Sequence, residues 1–285
     1  MPARTVAPYH QGDMTRPLFP TETIARTARV VLPPVSVVVL AVAVWAAITR
    51  LTGLPTFILP SPADVVDAAR RAGPRLTEAI ASTLGSTLIG LSIATALGII
   101  VAAMMDFVPI VKRAFYPLLV ASQTVQILAV APLLVIWLGF GRAPTIAVVV
   151  LFTFFPMTIS TVDGLSATNP DYVSLLRAMG ARRRQIWMRV RLPAAAPSFF
   201  SGLRLSVTYS VVAATIGEWI GGSVGLGLYM LRSKNALQTD QVFLAMMITT
   251  AISISLFAIV FVVERIVLPW NRATEREQWM EKGIY

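Results

Sequence analysis

The sequence contains no cysteine, a single histidine and few charged residues. Without cysteine the chain has no disulfides, no thiolate zinc site and no thiol nucleophile. The histidine, His10, lies in a polar N-terminal segment, so we predict neither a metal cluster nor a histidine-based nucleophilic site. Charged residues make up 13% of the chain, whereas an ordinary soluble domain has roughly 25%. A soluble protein this poor in charge would have too little polar surface to cover its core.

Motifs for nucleotide binding and catalysis are also missing. An ATP-binding loop of the form G-x4-GK[ST] needs a lysine between a glycine and a serine or threonine. The lysines of this chain are Lys112, Lys234 and Lys282, and none has these neighbours. The catalytic groups of intramembrane proteases, such as paired aspartates or HExxH, are not found at membrane depth either. We therefore predict that the chain is not an enzyme and binds no cofactor of its own.

Apolar residues are abundant and make up 56% of the chain. A helix of about 20 apolar residues crosses a hydrocarbon core of about 30 Å. The runs predict an all-α integral membrane protein with tails at 1–29 and 271–285 and a membrane domain at 30–270. The second of six predicted spans is rich in small residues, which let helices approach closely, so we expect it to be central. The six spans are 30–48, 83–105, 114–138, 145–162, 199–220 and 243–268.

The net charge of the chain is +10. No basic patch is interleaved with stacking aromatics, so nucleic acid is not a predicted partner. In a membrane protein, surplus Lys and Arg set the orientation and contact anionic lipid headgroups of the bilayer. If the N-terminus is inside, most of the 24 Lys and Arg residues lie on the inner side. This predicts a multi-pass membrane protein with both termini in the cytoplasm.

Polar and aromatic side chains in the spans are candidates for a translocation pathway. Gln123 and Gln126 in the third span either bond to neighbouring helices or line a path through the membrane. Glu218 and Trp219, at the outer end of the fifth span, form either a gate that contacts the solute or an interfacial Glu–Trp pair. Trp137 is a further pathway candidate.

Two segments on the predicted outer side have structure of their own. In residues 52–78, Ser61-Pro62 leads into a short amphipathic helix with Asp64 near its start. Residues 221–242 begin with GGSVGLG. This glycine-rich stretch is predicted to be a re-entrant or surface turn.

The loop at 163–198, between the fourth and fifth spans, is the most informative stretch. Asn169 is predicted to cap a short helix, and Gly180 fits a left-handed cap at its end. A second, basic helix is predicted to follow and to end at Pro193. The loop is either an interfacial helix on anionic lipid or a docking element for a cytoplasmic partner. The first helix has one apolar face, formed by Tyr172, Leu175, Leu176 and Met179.

The same loop resembles the EAA motif, EAA-x3-G-x9-I-x-LP, of permease subunits of bacterial ABC importers. Gly180, Val190, Leu192 and Pro193 match its spacing. In that family the loop supplies the coupling helix that inserts into the ATPase subunit. Glu-Ala-Ala is replaced here by the Ser-Leu-Leu run at 174–176, so docking is expected to rely on packing more than on a carboxylate. The coupling residues implied by the resemblance are Tyr172, Leu175, Leu176, Met179, Gly180, Ala181, Val190, Leu192 and Pro193.

Five further segments look like those of the nitrate/sulfonate/taurine-type permeases. They are LPSPADVV (59–66), APLLVIWLGFG (131–141), FFPMTISTVDGL (154–165), GEWIGGSVGLG (217–227) and ERIVLPW (264–270). The resemblance implies the fold of type I importer permeases, called MetI-like, and a permease dimer of identical copies. It also implies an extracytoplasmic solute-binding protein and ATPase subunits that carry the ATP and Mg.

That family includes importers of thiamine pyrimidine precursors and riboflavin-like compounds as well as sulfonates. The solute therefore stays open between a sulfonate-, nitrate- or taurine-like anion and a small heterocycle. A self-contained ion-coupled carrier or channel is the alternative function.

Overall fold

The computed structural model describes residues 21–270, which form helices and the connections between them. This part of the chain contains no β-strand, and the predicted all-α class is confirmed. Two compact units, residues 1–54 and 55–285, are described separately. The first contains α1 (Thr21–Thr52). The second contains α2 (Pro62–Arg71), α3 (Pro74–Phe107), α4 (Pro109–Ser122), α5 (Ile127–Leu138), α6 (Arg142–Ser166), α7 (Pro170–Ala178), α8 (Arg183–Ile186), α9 (Leu192–Gly221), α10 (Leu226–Asn235) and α11 (Thr239–Val267).

Within the described residues, five helices are long and apolar enough to cross a membrane. They are α1, α3, α6, α11 and the continuous helical run Arg183–Gly221, which contains α8 and α9. These positions correspond to five of the six predicted spans, although α1 already begins at Thr21. Residues 1–20 and 271–285, which make up most of the two predicted tails, lie outside the described residues.

The predicted third span, 114–138, is not one helix. It is divided between α4 and α5, which are joined by a turn at residues 123–126. The hydroxyls of Ser122 and Thr124 donate to the carbonyls of Leu119 and Ala121 and compete with helical hydrogen bonding there. The 12 residues of α5 extend only about 18 Å at 1.5 Å per residue. Neither half is therefore long enough to cross the bilayer as a straight helix.

Three long helices, α3, α6 and α9, form the packed centre of the second unit, as expected for the small-residue span. Gly90 of α3 lies so close to α6 that a Cβ would approach the Val149 Cγ1 atom to 2.6 Å. Ala94 and Ala102, further along the same face of α3, are fully buried. Because small residues let the backbones approach, these helices pack by close van der Waals contact.

The outer segment contains the predicted amphipathic helix, α2. Ser61 and Asp64 form a reciprocal capping box in which the Ser61 side chain accepts from the Asp64 N–H. The hydroxyl of Ser61, and then its backbone N–H, donate to the Asp64 carboxylate and hold the pKa of that group below its usual value. At the other end of the helix, Arg71 pairs with Asp240 of α11 at 2.9 Å. Helix α2 is thereby fixed against α11.

Candidate coupling and translocation sites

The loop after α6 contains a short helix, α7, whose two ends are both capped. At its start the Asn169 side chain accepts a hydrogen bond from the Asp171 N–H at 2.8 Å. At its end Gly180 has φ +82°, and its N–H donates to the Arg177 carbonyl. The next N–H, of Ala181, donates to the Leu176 carbonyl, which completes a Schellman motif. The predicted start and left-handed cap of this helix are confirmed.

The apolar side chains of α7 face two ways. Tyr172, Leu175 and Met179 are 62%, 58% and 74% exposed. Leu176 is half-buried, and Val173 is buried and holds the helix against the bundle. Exposed apolar side chains grouped on a short helix are typical of a surface that contacts another protein.

The second part of the loop differs from the prediction that Pro193 ends a helix. A π-helical turn, Trp187–Arg191, leads directly into α9, and Pro193 lies in the first turn of that helix. The wider π turn immediately precedes the proline, whose ring in a regular helix would clash with the carbonyl of Arg189, four residues earlier. The prediction that Pro193 ends the helix was therefore wrong. Val190, Ala181 and Pro193 are half-buried, and Leu192 is exposed.

This second part is bound to the C-terminal end of α3. Arg191 pairs with Asp106 at 2.6 Å. Arg183 donates to the Phe107 carbonyl at 2.5 Å, and its guanidinium also lies 5.4 Å from the centre of the Phe107 ring. The rings of Phe107 and Trp187 are 5.2 Å apart. The loop is therefore attached to α3, one of the central helices, by an ion pair, a hydrogen bond and ring contacts.

A second candidate site lies at the break between α4 and α5. A cavity of about 830 Å³ opens there, bounded by α6 and α9, and the structure brings Gln123, Gln126 and Trp219 together in its wall. Phe152 and Tyr209, whose ring centres are 5.7 Å apart, line it as well. The described lining residues carry no charge.

The structure does not bring Trp137 or Glu218 to this cavity. Trp137 lies on α5 and is 71% exposed, outside the cavity wall. Glu218 is 1% exposed and is enclosed by protein. Its carboxylate accepts hydrogen bonds from the Thr83 hydroxyl at 2.7 Å and from the Gly227 N–H at 2.8 Å. Glu218 is thus neither an interfacial partner of Trp219 nor a cavity residue. Its carboxylate is buried and binds α3 and the segment that follows α9.

The GGSVGLG segment is an ordered turn built over Glu218. Thr83 accepts from the Leu226 N–H at 2.8 Å, and Ser82 donates to the Val224 carbonyl at 3.0 Å. Gly225 has φ +153°, and any Cβ there would collide with the Glu218 carboxylate. The glycines are therefore required for the close approach of this turn to the acid.

Sequence reasoning missed Thr83, Asp106 and Arg191 as interacting residues. Asp106 and Arg191 are 85 positions apart, and Thr83 and Glu218 are 135 apart. No periodicity connects residues at such separations. One signal existed for Asp106: an acid at the inner end of an apolar span needs a partner, and the adjacent loop is rich in arginine.

A bundle of apolar helices with an uncharged cavity and an exposed apolar loop helix fits a membrane transport subunit. The chain belongs to the family of binding-protein-dependent transport system inner membrane components, whose sequence profile matches residues 94–273.

Characterised relatives are similar over most of the chain. The formylaminopyrimidine transport permease protein ThiX of Halalkalibacterium halodurans is 38% identical, over 85% of this chain and 96% of the relative. The riboflavin transport system permease protein RibX of Chloroflexus aurantiacus is 31% identical, over 84% and 89%. The taurine transport system permease protein TauC of Escherichia coli is 27% identical, over 80% and 86%.

Among solved structures, an inward-facing form of the MetNI methionine ABC transporter shares the fold. Its TM-score is 0.50 at 17% sequence identity, covering 65% of this chain and 95% of that one. The chain is therefore a permease subunit of an ABC importer and works with an ATPase and a binding protein. It is a transport subunit and not an enzyme, and the family does not fit the alternative of a self-contained carrier.

Proposed function

We propose that α7 and the turn after it are the element through which the partner ATPase drives this permease. The exposure of Tyr172, Leu175 and Met179 supports this, because these side chains offer apolar area to a groove on a partner. The anchoring of Val173 supports it as well, since a rigid helix transmits force. ATP and Mg then bind only on the partner. The proposed coupling residues are Tyr172, Leu175, Leu176, Met179, Gly180, Ala181, Val190, Leu192 and Pro193.

The proposed solute is a small, planar, uncharged heterocycle of the aminopyrimidine class. The observation that carries this proposal is the uncharged, mostly apolar cavity, whose wall includes the rings of Phe152, Tyr209 and Trp219 and the amides of Gln123 and Gln126. Aromatic rings stack on a flat solute, and glutamine amides match ring nitrogens and amino groups as both donors and acceptors. A sulfonate would instead need a cationic partner to replace its water. The similarity to permeases for formylaminopyrimidine and riboflavin supports the same class.

The orientation and assembly complete the proposal. The loop at 163–198 faces the cytoplasm with both termini, since most basic residues then lie inside. Two identical copies form the permease pair, because each supplies one α7 for one ATPase subunit. Alternating access then results from two conformations of the pair that ATP binding and hydrolysis favour in turn.

Uptake by the reconstituted assembly tests the solute. The chain and its ATPase are placed in vesicles with the binding protein of the system, and ATP-dependent uptake of labelled formylaminopyrimidine is compared with that of taurine. Uptake of the pyrimidine is expected and uptake of taurine is not. Trp219→Ala should lower pyrimidine uptake about tenfold, since stacking on an aromatic ring contributes about 1–3 kcal/mol per base.

Trp137→Ala is the matched control, because Trp137 lies outside the cavity wall. Its uptake should remain within about twofold of the parent, a difference well under 1 kcal/mol. Taurine uptake without pyrimidine uptake would contradict the proposed solute. Equal losses of pyrimidine uptake in Trp219→Ala and Trp137→Ala would contradict the proposed pathway.

A further inference from the structure

The inner end of the bundle contains a second, very different cavity. It has a volume of about 600 Å³ and lies between α3, α4, α6 and the 170–191 loop. Its wall includes the basic residues Lys112, Arg177, Arg183 and Arg191, and the sole acid among its described lining residues is Asp106. The cavity at the helix break carries no charge, whereas this one is strongly cationic.

Three of the four basic groups have no carboxylate partner. Asp106 is engaged by Arg191 at 2.6 Å. Lys112 donates to the Ser166 hydroxyl, and Arg183 donates to the Phe107 carbonyl, both of which are neutral acceptors. The guanidinium of Arg177 makes no hydrogen bond or ion pair with the described residues. The cavity wall therefore carries about three positive charges that no described carboxylate pairs, and the side chains of Arg177 and Arg183 remain exposed to solvent.

Other acids near the loop do not neutralise this charge. Asp163 accepts a hydrogen bond from Tyr116 at 2.8 Å and is not part of the wall. Asp171 lies in the first turn of α7, where its negative charge interacts favourably with the positive end of the helix dipole. The Trp187 indole lines the cavity, and its buried N–H has no hydrogen-bond acceptor among the described residues. This site has donors and positive charge in excess of its acceptors.

Of the proposed coupling residues, only Ala181 lines this cavity, and none of the exposed apolar side chains of α7 does. Val173, the buried residue of α7, lines it, whereas Tyr172, Leu175 and Met179 do not. Helix α4 begins beside it at Pro109 and carries exposed apolar side chains, among them Ile110. A ligand in this cavity can thus be part charged and part apolar.

We propose that this cavity binds the phosphate of an anionic phospholipid headgroup from the inner leaflet. Guanidinium groups match phosphate oxygens in paired hydrogen bonds, and the lysine adds a point charge. Basic pockets between membrane helices on the cytoplasmic side are suited to such headgroups. The acyl chains run along the apolar surface of α4. The lipid joins the loop to α3 and α4 from the side opposite the ATPase.

Lipid retention by the purified complex tests this site. The chain with its ATPase is reconstituted in vesicles of phosphatidylcholine and phosphatidylglycerol, extracted in neutral detergent and weighed by native mass spectrometry. The cavity variant is Lys112→Gln/Arg177→Gln, which breaks no ion pair of the described residues. The control is Arg184→Gln/Arg189→Gln, which removes the same charge from exposed positions of the same loop outside the cavity wall.

The parent and the control should retain phosphatidylglycerol. The cavity variant should retain at least about tenfold less of this lipid. Equal loss in both variants would overturn the proposal, because it would show general attraction of the loop to an anionic surface. Stabilisation by millimolar inorganic phosphate, with no retained lipid, would also overturn it and identify a soluble anion as the ligand.

Arg177→Gln alone serves as a milder variant if the double change impairs folding. Co-purification of the ATPase reports assembly in each case. The lipid measurement is independent of uptake and of the identity of the solute.

Discussion

Single buried polar groups connect the helices where α9 meets α3 and α10, and Glu218 is the clearest of them. Its carboxylate connects α9 to α3 through Thr83 and to the start of α10 through the Gly227 N–H. The N-terminus of a helix favours a negative group, so the acid also interacts with the α10 dipole. Glu218 therefore fixes the position of α10 relative to two central helices.

Removing this acid should destabilise the complex. Glu218→Ala leaves the Gly227 N–H and the Thr83 hydroxyl unsatisfied, at a cost of about 1–3 kcal/mol each, and should lower the midpoint of thermal unfolding clearly. Glu218→Gln keeps one carbonyl acceptor, so its unfolding midpoint should lie between those of the parent and Glu218→Ala. Glu78→Ala, at an exposed position, is the control. An unchanged midpoint for Glu218→Ala would show that the cluster contributes nothing to stability.

Gly180 allows a more selective test of the loop. Its φ of +82° is strained for residues with a Cβ, by about 1–2 kcal/mol, yet asparagine tolerates it better than most. Gly180→Asn should therefore assemble with the ATPase nearly as well as the parent. Gly180→Val should lose much of the assembled complex in size-exclusion chromatography. If both variants assemble equally well, the left-handed cap is not what orients α7.

At the scale of elements, the link between the loop and α3 is the central feature. The Asp106–Arg191 pair is half-buried and joins the π turn before α9 to the end of α3. Both groups belong to helices of the packed centre. We therefore expect this pair to carry movement of α7 into the membrane helices.

A double-mutant cycle measures that link. Asp106→Asn and Arg191→Gln should each destabilise the complex, and the double variant should cost less than their sum. The coupling expected for groups in contact is about 0.5–3 kcal/mol. Thermal unfolding in detergent and ATP-dependent uptake should both show it. Fully additive effects on both measurements would mean that the pair transmits nothing.

An element could be predicted from the sequence when the residues that determine it lie close together in the chain. The caps of α7 follow from Asn169, Pro170 and Gly180, which act within one turn of the chain. The break of the third span did not follow, because residues 114–138 are uniformly apolar except for a short polar patch. That patch, at 122–126, coincides with the break. Its hydroxyls bond to backbone carbonyls at the turn, and its amides lie in the cavity wall.

At the scale of the whole molecule, hydrophobic run length and composition were sufficient for the all-α membrane class. The central position of α3 also followed, since its small residues predict close packing. The buried position of Glu218 did not, because it depends on the glycine turn folding back over α9. The grouping of Gln123, Gln126 and Trp219 in one cavity likewise depends on how α4, α5, α6 and α9 pack.

The assembly as a whole converts ATP binding by a partner into access across the membrane. The parts proposed to act in turn are the exposed face of α7, the attached end of α3 and the cavity at the helix break. We propose that the movement of this permease depends on how strongly α7 holds the ATPase. The central claim is therefore that the apolar face of α7 is the docking surface.

The most direct test compares two variants that add the same negative charge to neighbouring positions of α7. Leu175→Glu places a charge on the apolar face, whereas Ser174→Glu introduces the acid found at the first position of the EAA motif. The measurement is the amount of ATPase retained by the affinity-purified permease. Ser174→Glu should retain the ATPase within about twofold, and Leu175→Glu should retain about tenfold less, as expected for an interface centre that contributes about 2 kcal/mol. Equal retention by both variants would contradict the account.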